Sequence, residues 1–301
     1  MVTNSAHKDE LQEEVSEKKQ NKIADIFVFT KMRLASLVVF SAVLGYLAGT
    51  DSVNWISLTA LTIGGIFITG SANGLNQIYE RNRDIHMTRT QQRPLPQNRM
   101  SNTEAYFICL ILGISGFLIL YILCNPLTAF LSIGSLLIYA YAYTPLKPIT
   151  PISVFVGAIP GALPPLLGFT AAQNEISFLA LSWFFIQFMW QFPHFWAIAW
   201  KAHDDYQKGG FYLLPLRNGK TKENASTIFF YTLMGLPVAM IPYFFGESGL
   251  YSTIGVFLMN VVFIYYAYKL LVHKSDQAAT QLMFASFIYL PVVQILLFIN
   301  L

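Results

Sequence analysis

Long apolar stretches separated by polar connections run through the chain from about residue 27 to its end. Nine of them reach the roughly 20 residues that an α-helix needs to cross the hydrocarbon core of a membrane. We place them at 27–49, 55–79, 103–123, 126–143, 151–171, 177–200, 226–245, 249–271 and 277–299. The pattern predicts an all-α integral membrane protein, with nine transmembrane helices in one domain over 26–301.

Residues 1–25 differ from the rest of the chain because they are polar and of mixed charge. They contain no short apolar core of the kind that a signal peptide has, and they are too acidic for a mitochondrial transit peptide. We therefore predict a cytoplasmic polar tail.

The basic residues orient the predicted helices. All 19 Lys and Arg fall in the tail and the start of the first helix, in 80–102, 144–150 and 201–225, or near the turn at 269–276. Nine crossings put all of these segments on one side, and Lys and Arg are enriched on the cytoplasmic side of membranes. The prediction is a multi-pass protein of the cell membrane, with its N-terminus cytoplasmic and its C-terminus outside.

Composition agrees with this class. Only 12% of the residues are charged and 54% are hydrophobic, whereas a soluble domain has about 25% charged residues. The formal net charge of +3 is small. We expect membrane lipid and no nucleic acid as a partner, and we interpret Cys109 and Cys124 as buried thiols.

A polar cluster stands at the cytoplasmic end of the second predicted helix. Asn76, Glu80 and Asp84 recur every four residues, which places them on one helix face. One amide and two carboxylates are hard oxygen ligands, the kind that Mg²⁺ takes while it also holds a phosphate. Arg81 and Arg93 follow, and Arg suits phosphate binding. The alternative is that the carboxylates only pair with nearby arginines at the membrane surface.

A second group of polar residues follows the sixth predicted helix. His194, Lys201 and Asp205 are spaced by seven and four, so they share a face if that helix continues far enough. The spacing leaves two interpretations of His194 open, a hydrogen-bonded histidine in the bundle or an axial haem ligand. Lys147 ends the motif Y-A-Y-T-P-L-K and is either a phosphate ligand or an interfacial anchor.

If the two clusters meet, they form a central cavity that opens to the cytoplasmic side. Carboxylates with a ring of Arg and Lys suit a metal-bound diphosphate, because the metal makes diphosphate a better leaving group. The remainder of such a substrate must be apolar, since the cavity lies among membrane helices. An isoprenyl diphosphate has this shape, and a dry aromatic site protects the allylic cation that it yields.

Four motifs together resemble the protohaem IX farnesyltransferase family, also called haem O synthase, of the UbiA-type intramembrane prenyltransferases. They are G-S-A-N-G-L-N-Q-I-Y-E-R-N-R-D-I-H-M-T-R-T-Q-Q-R-P, Y-T-P-L-K, G-A-I-P-G-A-L-P-P-L-L-G and W-Q-F-P-H-F-W-A-I-A-W-K-x-x-D-D-Y. The resemblance runs from about Phe27 to the C-terminus. Members usually carry Asp where this chain has Glu80, which changes the reach of that ligand.

The resemblance implies transfer of a farnesyl group from farnesyl diphosphate to a vinyl group of haem B, with addition of water, to give haem O. It implies Mg²⁺ as the cofactor, with haem B as a substrate. The implied roles are metal binding by Asn76, Glu80 and Asp84, diphosphate binding by Arg81, Arg93, Lys147 and Lys201, haem binding by His194, and assistance to metal or water by Asp205.

Two other functions compete with this one. A prenyltransferase of the same superfamily acts on a quinone or chlorophyll precursor, but it is expected to have more aspartates after the sixth helix than Asp204 and Asp205. A transporter of an anionic amphiphile also explains polar residues in a membrane protein, but it needs matching access from the outer side. The resemblance leaves open whether the product passes to a haem A synthase or to a terminal oxidase.

Overall fold

The computed structural model describes residues 22–299, so residues 1–21 of the predicted tail lie outside the described part of the chain. All regular elements within 22–299 are helices, which confirms the all-α prediction. They are α1 Lys22–Thr30, α2 Met32–Ala48, α3 Trp55–Asp84, α4 Asn102–Leu123, α5 Pro126–Leu146, α6 Ser153–Gln173, α7 Phe178–Lys201, α8 His203–Lys208, α9 Lys222–Ala239, α10 Ile241–Phe244, α11 Leu250–His273 and α12 Asp276–Ile299.

Length and apolar composition qualify seven of the described helices, counting α9 and α10 as one, to cross a membrane. The pair α1 and α2, bent by 48°, adds an eighth if it forms one span. Helix α7 has 24 residues but is outside this set, because Gln187, Gln191 and His194 lower its mean hydropathy. The multi-pass membrane character is therefore confirmed, and the nine-span topology stays a prediction.

Polar side chains fix where many of these helices begin. The side-chain oxygens of Asn54, Ser101, Asn125, Ser177 and Thr221 each accept a hydrogen bond from a backbone N–H in the first turn of the following helix. The first N–H groups of a helix have no partner within it, and such caps satisfy them. These caps fix the first turn of each of these five helices.

Helix α3 is longer than the sequence predicted. It continues to Asp84 instead of ending near residue 79, so the whole polar cluster lies on one unbroken helix. Arg81 and Arg83 occupy its last turn, where positive charge is favoured by the helix dipole. The four-residue spacing of the acidic residues therefore does place them on one face.

Helices α2 and α6 approach each other closely. A Cβ on Gly45 would lie 2.2 Å from the Pro165 carbonyl oxygen, and a Cβ on Gly168 would lie 2.0 Å from the Ala42 carbonyl oxygen. Real side chains do not tolerate such contacts, so glycine at both positions is what permits the packing. Small residues have this role in many membrane helix pairs. The contact holds the first long helix against the middle of the bundle.

We expect Gly168→Ala to lower the Tm of the purified protein in detergent, because the α2 backbone has no room to give way. Overpacking of this kind typically costs about 1–3 kcal/mol. The matched control is Gly134→Ala in α5, where a Cβ meets nothing within 4 Å. Equal Tm values for the two variants would show that α2 and α6 can separate at little cost.

Candidate functional site

Two buried carboxylates at the C-terminal end of α3 form the centre of the site, and each pairs with one basic side chain. Lys147 Nζ donates to Glu80 Oε1 at 2.8 Å, and Arg93 Nη1 donates to Asp84 Oδ2 at 2.7 Å. Glu80 is 4% exposed and Asp84 is fully buried. Lys147 follows α5 and Arg93 lies in the loop after α3. The pairs therefore bring three separate chain segments together.

Asn76 extends this cluster one turn deeper into the bundle. Its Nδ2 donates to Thr144 Oγ1 at 3.2 Å, and Lys31 Nζ lies 3.5 Å from its Oδ1. Asn76, Glu80 and Asp84 thus all face basic or hydroxyl groups along one side of α3. We refer to these three residues with Lys31, Arg93 and Lys147 as the charged pocket.

Lys147 keeps its charge within this pocket. Burial favours the neutral amine, but the Glu80 carboxylate outweighs burial and raises the pKa of Lys147 above its usual value. The pocket therefore holds three basic groups against two carboxylates. Such an excess of positive charge suits an anionic ligand.

The oxygen atoms of the charged pocket fit a divalent cation. Asp84 Oδ1 is buried and accepts no hydrogen bond within 22–299. Buried carboxylate oxygens normally have a donor or a cation beside them. No group of three or more His, Cys, Asp or Glu side chains in the described chain could hold a metal ion by itself. The two carboxylates and one amide instead match Mg²⁺, which commonly uses one or two carboxylates together with phosphate oxygens.

Aromatic rings line the pocket beside Lys147, and sequence reasoning missed them as site residues. The Lys147 ammonium lies 4.5 Å from the ring centroid of Tyr143 and 5.9 Å from that of Phe211. Tyr143 ends a π-helical segment, Ile138–Tyr143, within α5, and such segments are frequent at functional sites. The four-residue spacing of Tyr143 and Lys147 was the available signal, whereas nothing local marked Phe211.

Asp205 makes a different contact from the one that the spacing predicted. Helix α7 ends at Lys201 and a separate helix, α8, begins at His203, so His194, Lys201 and Asp205 do not share one continuous helix. The Asp205 carboxylate accepts from the backbone N–H groups of Thr88 at 2.7 Å and Arg89 at 3.3 Å. Asp205 therefore holds the loop that carries Arg93.

Two of the predicted phosphate ligands have no contact that supports or excludes a role. Arg81 is partly exposed and Lys201 is exposed. Neither forms an ion pair or a side-chain hydrogen bond within 22–299. Their assignment to the site stays a prediction.

His194 lies on α7 against α12. Its Nδ1 is 2.7 Å from Ser286 Oγ, and its ring stacks on Trp190 with centroids 4.6 Å apart. Ser286 Oγ donates its only proton to the Met283 carbonyl oxygen at 2.5 Å. It must then accept from His194, which places the imidazole proton on Nδ1. Nε2 keeps its lone pair and makes no hydrogen bond to any described residue, so it is available to a ligand.

Removing the Asp205 carboxylate should loosen the loop after α3. We expect Asp205→Ala to increase the hydrogen-exchange rate of the Thr88 amide by about 10-fold or more, because a charge-assisted hydrogen bond is lost. Asp204→Ala, at an exposed neighbouring position, should leave the rate unchanged. Equal rates in both variants would contradict a clamp at Asp205.

The same contact has a defined pH dependence. Burial alone would raise the pKa of Asp205, but the N–H groups of Thr88 and Arg89 outweigh burial and lower it. The clamp therefore contributes fully above the unfolded-state pKa of about 3.9. It is lost as pH falls through the lower folded-state value, so Thr88 protection in the parent protein should persist from pH 7 to about 4.

Comparisons with known proteins show which family the chain belongs to. Residues 37–290 match the UbiA prenyltransferase family. A protein of Christiangramia forsetii named protoheme IX farnesyltransferase is 45% identical over 278 residues, which cover 91% of this chain and 92% of that protein. A relative of the same name from Cytophaga hutchinsonii is 44% identical over 270 residues, which cover 89% of this chain and 94% of that protein.

Solved structures share the fold at low sequence identity. A structure of digeranylgeranylglyceryl phosphate synthase has a TM-score of 0.78 at 17% identity, and the match covers 93% of this chain and 99% of that one. A UbiA homologue from Archaeoglobus fulgidus bound to DMAPP and Mg²⁺ has a TM-score of 0.63 at 13% identity, and covers 91% and 99%. These matches confirm the resemblance that the four motifs indicated. The chain belongs to the UbiA prenyltransferase family.

Proposed function

We propose that this chain is a protohaem IX farnesyltransferase, which converts haem B to haem O with farnesyl diphosphate and water and releases diphosphate. The observation that carries the proposal is the charged pocket. It combines two buried carboxylates, an unpartnered Asp84 oxygen and three basic groups at the end of membrane helices. The relatives named for this reaction support the choice of substrates.

The diphosphate end of the substrate belongs in the charged pocket. Asn76, Glu80 and Asp84 supply oxygen atoms for Mg²⁺, and Arg93 and Lys147 supply positive charge for the diphosphate. When bound, Mg²⁺ neutralises diphosphate oxygens and makes diphosphate a better leaving group. Lys147 and Arg93 stabilise the charge that grows on the leaving oxygen as the C–O bond breaks. We assign Arg81 and Lys201 to diphosphate binding as well, as the sequence motifs imply.

Haem B belongs near α7, where His194 either ligates or positions it. The lone pair on Nε2 is in the form that binds iron, because Ser286 holds the proton on Nδ1. Trp190 and Phe287 flank the imidazole with centroid distances of 4.6 Å and 5.0 Å. Flat aromatic side chains of this kind pack well against a porphyrin.

The reaction forms one carbon–carbon bond and one carbon–oxygen bond. The bond from farnesyl C1 to diphosphate breaks, and the terminal carbon of a haem vinyl group bonds to C1. Water then adds its oxygen to the other vinyl carbon and releases a proton, which gives the hydroxyethylfarnesyl group. Tyr143 and Phe211 beside Lys147 provide aromatic faces for the allylic cation. Asp205 acts through the loop that it holds, or on the added water.

The membrane arrangement follows from the same proposal. Nine spans place the charged pocket and all 19 basic residues on the cytoplasmic side, with the N-terminus inside and the C-terminus outside. In this arrangement α7 is the sixth span, and its polar residues face the interior of the bundle. Gln187 donates to the Gly161 carbonyl oxygen at 2.8 Å and accepts from Gln294 at 2.9 Å, so its amide is satisfied within the bundle. A haem A synthase or a terminal oxidase would receive the product.

A direct assay separates this function from its rivals. The purified chain with haem B, farnesyl diphosphate and Mg²⁺ should produce haem O, detected by mass spectrometry. Asp84→Asn should reduce turnover by at least about 100-fold, because it removes a ligand of the leaving group's cation. The control Asp51→Asn changes an exposed carboxylate in the α2–α3 connection and should leave turnover unchanged.

Each other outcome of this assay supports a different conclusion. If the protein forms no haem O but prenylates a quinone precursor, the other prenyltransferase function is favoured. Movement of prenyl diphosphate across vesicles without any transfer would favour a transporter. Near-normal turnover in Asp84→Asn would remove Asp84 from the metal site.

Haem titration tests the role of His194 independently of turnover. We expect the parent protein to give the absorption spectrum of histidine-ligated haem, and His194→Ala to lose it. The control His273→Ala alters a histidine at the end of α11 and should behave like the parent. Ser286→Ala should weaken the histidine signature without abolishing it, since the proton on Nδ1 loses its acceptor. Identical spectra for the parent and His194→Ala would exclude axial ligation.

A further inference from the structure

Lys31 occupies the break between α1 and α2. Its backbone has φ 51° and ψ 52°, in the left-handed region that side chains other than those of Gly, Asn and Asp rarely adopt. The two helices meet there at an angle of 48°. Non-glycine residues remain in this conformation when the surrounding structure imposes it, and they are concentrated at functional sites. The strained residue here is the one whose side chain reaches the charged pocket.

The position of the ammonium group is defined by α3. Lys31 Nζ lies 3.5 Å from Asn76 Oδ1, at the limit of a hydrogen bond. Asn76 precedes Glu80 by about one turn of α3, and Lys147 pairs with Glu80. The ammonium group of Lys31 therefore lies on the side of α3 that carries Asn76, Glu80 and Asp84.

The charge balance leaves Lys31 without a carboxylate. Glu80 is paired with Lys147, and Asp84 is paired with Arg93. Within 22–299, Lys31 forms no ion pair, and its one side-chain hydrogen bond is to a neutral amide. Partly buried cations usually have an anion beside them. A basic group without a counter-ion, in a pocket that already holds Arg93 and Lys147, fits a site for an anionic ligand.

We propose that Lys31 is a diphosphate ligand, which binds the leaving group from the break between α1 and α2. The assignment rests on the proposed function, because it names a further residue for the same substrate group. Lysine is a compact cation that binds phosphate as a point charge. The side chain of Lys31 reaches Asn76 from a left-handed backbone, beside the carboxylates that would hold the metal.

Inorganic pyrophosphate with Mg²⁺ tests the proposal without any prenyl transfer. Binding to the full-length chain in detergent is measured by calorimetry. Lys31→Gln should raise the Kd by about 10-fold or more, the effect of losing one charge-assisted hydrogen bond. Lys31→Arg should bind within about threefold of the parent, because it keeps the charge. The matched control Arg33→Gln removes the same charge two residues away at an exposed position and should bind like the parent.

A structural role predicts a different pattern. Because Lys31 has no carboxylate partner, Lys31→Gln should leave the Tm of the ligand-free protein unchanged or slightly higher. Lys31→Asn is the second variant, since Asn tolerates the left-handed conformation, and it should show the same weak binding and unchanged Tm. A clear loss of Tm in both variants would identify a structural residue and overturn the proposal.

The remaining outcomes separate this proposal from the function on which it rests. If the parent binds pyrophosphate and Lys31→Gln binds equally well, the assignment of Lys31 is wrong and the proposed function stands. If Arg33→Gln weakens binding as much as Lys31→Gln does, the effect is one of overall charge, and the assignment is again wrong. If the parent binds no pyrophosphate in the presence of Mg²⁺, both the assignment and the diphosphate site are wrong.

Discussion

Neutralisation of two buried carboxylates is the interaction on which the site end of this helix bundle depends. Glu80 and Asp84 sit at the end of a membrane helix, where an unpaired charge is expensive. Their partners come from elsewhere, Lys147 from the segment after α5 and Arg93 from the loop after α3. Helix α3 must run on to Asp84, and the loop must fold back over it, for both pairs to form. The clamp at Asp205 serves this second requirement.

Sequence reasoning located the helices and one face of the site, and the reason is that both depend on local spacing. Apolar runs of membrane length indicated the long helices, and a four-residue repeat aligned Asn76, Glu80 and Asp84. Interactions between distant segments carry no such signal. Neither the pairing of Glu80 with Lys147 nor the approach of Lys31 to Asn76 has a local pattern. Asp205 illustrates this limit of sequence reasoning. Its spacing from His194 and Lys201 implied a shared helix, but the helix ends at Lys201 and is broken at Ala202.

The bundle also contains polar side chains that form hydrogen bonds between helices, and we infer a structural role for them. Ser41 donates to Gln294 at 3.0 Å, and Gln294 donates to Gln187 at 2.9 Å. Gln191 donates to the Ala158 carbonyl oxygen at 3.0 Å. These bonds connect α2, α6, α7 and α12 where water has no access, and interhelical hydrogen bonds of this kind stabilise membrane bundles. Asp84 Oδ1, in contrast, accepts no hydrogen bond within 22–299.

The ion pairs of the charged pocket have a consequence for how the site fills. Lys147 and Arg93 now occupy the carboxylates that a divalent ion would use. In the proposed function, a divalent ion bound without diphosphate would leave Lys147 and Arg93 without a counter-charge. Diphosphate supplies that counter-charge, so the ion and the diphosphate should each favour the binding of the other, by the same factor in both directions. The ion pairs of the ligand-free site would therefore favour binding of a complete metal–substrate complex over binding of the metal alone.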